Sequence, residues 1–147
     1  MKIKGFDDTI KWYDQNAKHY ADVTSKLISD DLIKRFLQLL PSNLKVLDIG
    51  CGGGRDTKAL YDLKINVTGL DISNGLIHEA KARYPGIYFI QGDFLHLPFK
   101  DESFDGVWAH AAIVHLETIE DVTKAIKEFS RVLKSEGILY IYTKAQL

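Results

Sequence analysis

The residues of this chain whose types and spacing could do chemistry are three aspartates and a run of glycines. Asp48-Ile49-Gly50-Cys51-Gly52-Gly53-Gly54-Arg55 follows a short apolar stretch, and Asp71 and Asp93 each end another. Glycines there let backbone turn sharply and approach a ligand closely, which by itself suggests a phosphate cradle at a helix amino terminus. The spacing argues against a dinucleotide fingerprint: counting Gly-x-Gly-x-x-Gly from Gly50 and Gly52 places Arg55 at the third glycine. Asp71 stands 21 residues after Gly50, where a carboxylate can accept hydrogen bonds from both hydroxyls of a ribose. Asp93 could accept from an exocyclic adenine amine, and the ring of Phe94 could pack on the base.

Asp48 adds negative charge beside the glycine loop. A pyrophosphate would be repelled there and a ligand carrying an ammonium and a sulfonium favoured, so the charge balance selects S-adenosylmethionine over NAD.

These residues must be held by alternating strands and helices. Apolar positions Leu27, Ile28, Leu32, Ile33, Phe36, Leu37 and Leu40 predict one helix over Thr24–Leu40, stopped by Pro41. Strands are expected at Lys45–Ile49, Ile65–Ile72, Ile87–Gln91, Phe104–Ala109 and Ile138–Thr143. Helices between them run from about Arg55 to Leu63, from a Ser73 cap to about Tyr84, and from a capping box at Thr118–Asp121 to about Lys134. Strand and helix alternating over short connections require right-handed crossovers. The expected fold class is therefore α/β: a doubly wound, mostly parallel sheet with helices on both faces, a Rossmann-like arrangement whose ligands sit beyond the carboxyl ends of the strands.

Four ordered motifs are similar to those of class I S-adenosylmethionine-dependent methyltransferases. They are Val46–Arg55, Val67–Ser73, Gly92-Asp93-Phe94 with Leu97-Pro98-Phe99 and Ser103-Phe104-Asp105, and Glu128–Leu133 leading into Gly137–Tyr140. The resemblance implies S-adenosylmethionine as cofactor. It places Asp48, Gly50 and Gly52, with Cys51, Gly54 and Arg55 in the same loop, at the methionine end. Asp71 would hold the ribose, Ile72 would flank the adenine, Asp93 would meet its amine, Phe94 would pack nearby, and Ala109 with His110 would border the departing methyl. Trp12-Tyr13-Asp14 with Ala17 and Tyr20 resembles the lead-in segment of small-molecule methyltransferases, where an aromatic closes the site. The family usually continues past the fifth strand into an antiparallel strand pair, whereas this sequence stops at Leu147, so the cofactor-binding core is expected at 45–143, preceded by a helical lead-in at 1–41, within a single domain.

His110 and His115 follow the fourth strand, and either can take a proton from an acceptor hydroxyl or amine; packing or orienting the acceptor is the plainer role, and His110 is the candidate catalytic group. Cys51 sits among glycines with no identified base, as a small residue would. The histidines show no zinc-type spacing, so no metal is expected.

With 19 Lys and Arg against 20 Asp and Glu, the net charge of −1 provides no broad basic surface, and an Asp/Asn-Pro-Pro-aromatic motif of amino-methylating nucleic-acid enzymes is replaced by Ala109-His110-Ala111-Ala112. A small-molecule acceptor is expected rather than nucleic acid. No apolar run approaches the roughly 18 residues of a membrane span. An amino terminus without an apolar core and a lone Cys51 point to a cytoplasmic setting. The last strand is expected to present an apolar edge that pairs with a second copy or is shielded by the amino-terminal helices. Two rival functions stand beside methyl transfer: a module that binds the cofactor without turnover, and an NAD-binding domain.

Overall fold

The computed structural model describes residues 5–27, 29–42 and 44–144; the expectations resting on Met1–Lys4, Ile28 and Leu147 lie outside them. The predicted helix over Thr24–Leu40 is instead two helices, α1 (Phe6–Thr24) and α2 (Asp30–Gln38). The chain breaks between them, leaving Leu27 exposed while Ile33 and Phe36 are buried. Then follow β1 (Lys45–Ile49), α3 (Arg55–Asp62), β2 (Asn66–Asp71), α4 (Asn74–Arg83), β3 (Tyr88–Gln91), β4 (Phe104–His110), a single 3-10 turn (Ile113–His115), α5 (Ile119–Val132) and β5 (Leu133–Tyr142). Both expected side-chain caps form: Ser73 Oγ accepts from Leu76 N and Thr118 Oγ1 from Asp121 N, each at 3.1 Å.

The five strands form one wholly parallel sheet in the order β3-β2-β1-β4-β5. Connections through α3 and α4 step the chain outward from β1 to β2 and β3, and the order reverses between β1 and β4, opening a crevice beyond their carboxyl ends. Period-two alternation splits β1 and β4 between two cores. Leu47, Ile49, Val107 and Ala109 pack with Ala125, Phe129 and Val132 of α5. Val46 and Trp108 face Ile33 and Phe36 of α2 and Leu60 of α3.

Last in the sheet, β5 begins earlier than expected, with a register shift between Phe104 and Gly106 that carries Glu136 at φ 64°. Phe36 lies edge-on to Trp108 and Tyr140, at 5.3 and 6.3 Å between ring centroids, so α2 covers a face of β4 and β5.

Helix α1 docks on α4 and the glycine loop. Asp14 Oδ1 accepts from Ser73 Oγ at 2.6 Å and from Gly75 N at 2.9 Å, and Arg83 pairs with Asp22 at 2.5 Å. The approach is close enough to demand small residues: a Cβ on Gly53 would lie 2.6 Å from that of Ala21, and one on Gly75 would lie 2.9 Å from the Asp14 backbone.

Candidate functional site

The end of β1 and the turn into α3 form a tight cradle. Gly50 has φ 67°, a conformation costly for any residue with a side chain, and a Cβ there would sit 2.8 Å from that of Ala112. Cys51 N donates to Leu70 O at 3.0 Å and Gly52 N donates to Asp71 Oδ2 at 2.9 Å, so the loop is tied to the end of β2. The other oxygen of Asp71 accepts from Ser73 N at 2.9 Å. A carboxylate has about four acceptor positions, so each Asp71 oxygen keeps capacity for a ligand hydroxyl. Asp71 is 8% exposed; burial raises its pKa above the usual carboxylate range, and the backbone donors oppose that shift.

Two adjoining cavities lie over this cradle. The first, about 80 Å³, is lined by Asp71, Ile72, Leu76 and Phe94 from the sheet side and is roofed by Phe6, Thr9, Ile10 and Tyr13 of α1. The second, about 300 Å³, is lined by Asp48, Cys51, Arg55 and Asp56 on one side and by Thr24, Tyr142 and Lys144 on the other. Tyr20, Gly50, Gly52, His110 and Ala111 border both. Ala111 holds φ 60°, a strained backbone for alanine, at the junction of the cavities.

Of the residues singled out by sequence, Tyr20, Asp48, Gly50, Cys51, Gly52, Arg55, Asp71, Ile72, Phe94 and His110 are brought to these cavities. Asp93, Gly54 and Ala109 are not among the lining residues. The Asp93 carboxylate turns back to cap its own loop, Oδ1 accepting from Leu95 N at 2.8 Å, a local bond that competes with reaching into the cavity. Ala109 points into the α5 core and is fully buried. Gly54, at φ 89°, serves the turn into α3, where a Cβ would strike Phe89 at 2.8 Å.

Beneath the second cavity lies a buried acid pair. Asp48 Oδ2 accepts from Thr57 Oγ1 at 2.6 Å, and its pKa is pushed well above the usual range by burial and then by the neighbouring Asp56. Asp56 in turn accepts from Arg55 Nε at 2.7 Å and from Trp108 Nε1 at 2.9 Å. Sequence reasoning missed Asp56, and it missed Phe6, Thr9 and Ile10 as a roof. Their signal was present in the three-to-four spacing of positions 6, 9, 10, 13, 17 and 20 along α1.

Burial of the Cys51 thiol raises its pKa well above the ordinary value, which suits packing rather than nucleophilic attack. Burial lowers both His110 and His115, so each favours its neutral imidazole. The unfolded chain then binds more protons than the folded one as pH falls below the ordinary imidazole value of ~6.5. Their stabilising contribution is complete above that value and is lost as pH falls through the lower folded-state values. Thermal melts should therefore show a decline on acidification from neutrality that His115→Gln makes shallower; an unchanged slope would contradict the assignment.

Among the described residues, no three His, Cys, Asp or Glu side chains gather as a metal-holding group, and no helix is long and apolar enough to cross a membrane.

Residues 47–141 match the model of a methyltransferase domain. The chain belongs to the class I S-adenosylmethionine-dependent methyltransferase family. Similar proteins include a sterol 24-C-methyltransferase from Gibberella zeae, 39% identical over 106 residues that make up 67% of this chain and 27% of that protein. A probable tRNA methyltransferase 9B from Mus musculus is 35% identical over 133 residues, 90% of this chain and 28% of that one. The fold is shared with a structure described as an S-adenosylmethionine-dependent methyltransferase from Methanosarcina mazei, at TM-score 0.69 and 31% identity, covering 73% of this chain and 55% of that one. The chain thus spans 27% and 28% of the length of the two curated relatives.

Proposed function

We propose that this methyltransferase-family domain binds S-adenosylmethionine along the Gly50–Gly52 cradle and transfers its methyl group to a small-molecule acceptor. The observation that carries the cofactor assignment is the buried Asp71 carboxylate, which faces the first cavity with acceptor capacity left on both oxygens. The cradle fits the same ligand, because Gly50 and Gly52 border both cavities and would let a bound chain run from one to the other.

When bound, the cofactor supplies an electrophilic methyl on a sulfonium. The protein's task is then alignment, which can provide most of the acceleration without a nucleophilic side chain. Asp71 would hold the ribose hydroxyls, Ile72 and Phe94 would flank the base, and Asp48 with Arg55 would meet the amino and carboxylate groups of the methionine end. The first cavity, at about 80 Å³, lies below the ~300 Å³ at which small-molecule pockets begin, so holding a nucleoside there requires its lining side chains to move apart.

Support for a small acceptor comes from the roof of α1 side chains over the first cavity and from a net charge of −1, which offers no broad phosphate-binding surface. The decisive experiment incubates the chain with methyl-labelled S-adenosylmethionine and, separately, a metabolite fraction, total tRNA and a protein fraction. Label in metabolites is the expected result. Label confined to tRNA or protein would overturn the small-acceptor assignment. S-adenosylhomocysteine binding without transfer to any fraction would favour a cofactor-binding module, and calorimetric binding of NAD alone would refute the cofactor assignment.

A further inference from the structure

Tyr13 Oη and His115 Nε2 lie 2.9 Å apart, 102 residues apart in sequence, and both side chains line the cavity that holds Asp71, Gly50 and Gly52. The contact joins the inward face of α1 to the 3-10 turn beyond β4, across the mouth of the cradle. The two rings meet edge-on at 5.5 Å, and the Tyr20 ring lies edge-on to Tyr13 at 4.9 Å.

Holding α1 in place does not require this pair. The helix is already anchored by Asp14 on Ser73 and Gly75, by the Arg83–Asp22 ion pair, and by Ala21 against Gly53. A polar pair aimed into a half-enclosed cavity, where apolar side chains would pack α1 equally well, has a use for its polarity. The polar groups sharing the cavity with it are Thr9 and Tyr20 of α1, Asp71 at the end of β2 and His110 at the end of β4.

We propose that Tyr13 and His115 form a proton relay that serves the methyl acceptor, with Tyr13 touching the acceptor and His115 receiving the proton; this rests on the methyl-transfer function proposed above. In the resting state the Tyr13 hydroxyl donates to an unprotonated His115 Nε2. An acceptor hydroxyl or amine placed against Tyr13, beside the cofactor held by Asp71, donates its proton to the Tyr13 oxygen. As the acceptor heteroatom bonds to the methyl carbon, the carbon–sulfur bond breaks and its electron pair leaves on sulfur. The acceptor's proton moves to Tyr13 Oη while Tyr13's own proton moves to His115 Nε2, so the phenol is regenerated and the imidazolium releases its proton to solvent afterwards.

Burial fits both roles. The Tyr13 hydroxyl is raised above its ordinary range, chiefly by desolvation, so the phenol stays protonated and passes a proton without resting as a phenolate. His115 is lowered by burial and starts neutral.

The test uses the full chain as wild type, Tyr13→Phe, His115→Gln and the double variant, with two readouts. The first is label transfer to the metabolite fraction between pH 6 and 9, beside calorimetric titration of S-adenosylhomocysteine. Each single variant should lower transfer about a hundredfold, as for loss of a general base, and the double should lose no more than the larger single loss because the two act as a unit. Affinity for S-adenosylhomocysteine should stay within about threefold, and the acid limb of the wild-type pH profile should vanish in His115→Gln.

Wild-type transfer in either single variant, losses that multiply in the double variant, or a fall in affinity matching the fall in rate would each overturn the relay. The second readout needs no acceptor. Nitrogen-15 NMR of the imidazoles at pH 7.5 should show His115 with an unprotonated, hydrogen-bonded Nε2 whose shift moves in Tyr13→Phe. A protonated Nε2 at that pH would overturn the relay, even if the wild type transferred no label and methyl transfer itself had failed.

Discussion

Asp71→Ala should reduce S-adenosylmethionine affinity by at least about a hundredfold, because it removes the proposed ribose acceptor and unties the glycine loop in one step. The carboxylate accepts from Gly52 N and from Ser73 N, both at 2.9 Å, and it sits 8% exposed against the first cavity. Hydrogen bonds to a charged group contribute roughly 1.5–3 kcal/mol each, and a buried donor left without its partner costs ~1–3 kcal/mol. A loss of two ligand bonds therefore corresponds to several kcal/mol before the loop is considered. Calorimetric titration with S-adenosylhomocysteine measures it. Asp71→Asn separates the contributions: the amide oxygen can keep one backbone donor, but the amide nitrogen cannot accept from the other or from a hydroxyl. Affinity within threefold of wild type in Asp71→Ala would refute the ribose assignment.

Trp108→Ala is expected to be the most damaging single substitution for stability, at about 3–5 kcal/mol. That is a large fraction of the ~5–15 kcal/mol by which a domain is stable. The indole is fully buried, stacks on Tyr140 at 3.9 Å between centroids, lies edge-on to Phe36 at 5.3 Å, and donates from Nε1 to Asp56 at 2.9 Å. Removing it opens a cavity between α2 and the sheet and strips one donor from a buried carboxylate. Trp108→Phe should keep most of the packing and lose the donor, at about 1–3 kcal/mol. Urea unfolding followed by circular dichroism separates the two. A Trp108→Ala loss below about 1 kcal/mol would mean that this face of the sheet does not depend on the indole.

Much of the cradle was legible because it is local. The apolar run before Asp48 and the glycines after it, then Asp71 at the end of the next apolar run and Ser73 as a cap, belong to two successive strand–turn–helix units. Hydrophobic periodicity and turn chemistry encode such units directly. The break between α1 and α2 was not legible, because apolar residues at helical spacing run across it, and which of them find a core is settled only by docking. Asp93 is a different case: its Oδ1 accepts from Leu95 N and it lies outside the lining of both cavities, a placement that residue type and strand-end position do not specify.

By itself, the sequence determined the alternating elements, the parallel sheet they imply, and the acids and glycines that end its strands, since period and spacing act over a few residues. Tertiary structure decided which of these groups meet. The order β3-β2-β1-β4-β5 brings β4 beside β1, and the docking of α1 on α4 sets Tyr13 against His115 above Asp71. Such meetings depend on free energy summed over the whole packed chain, where contacts far apart in sequence outweigh local preference.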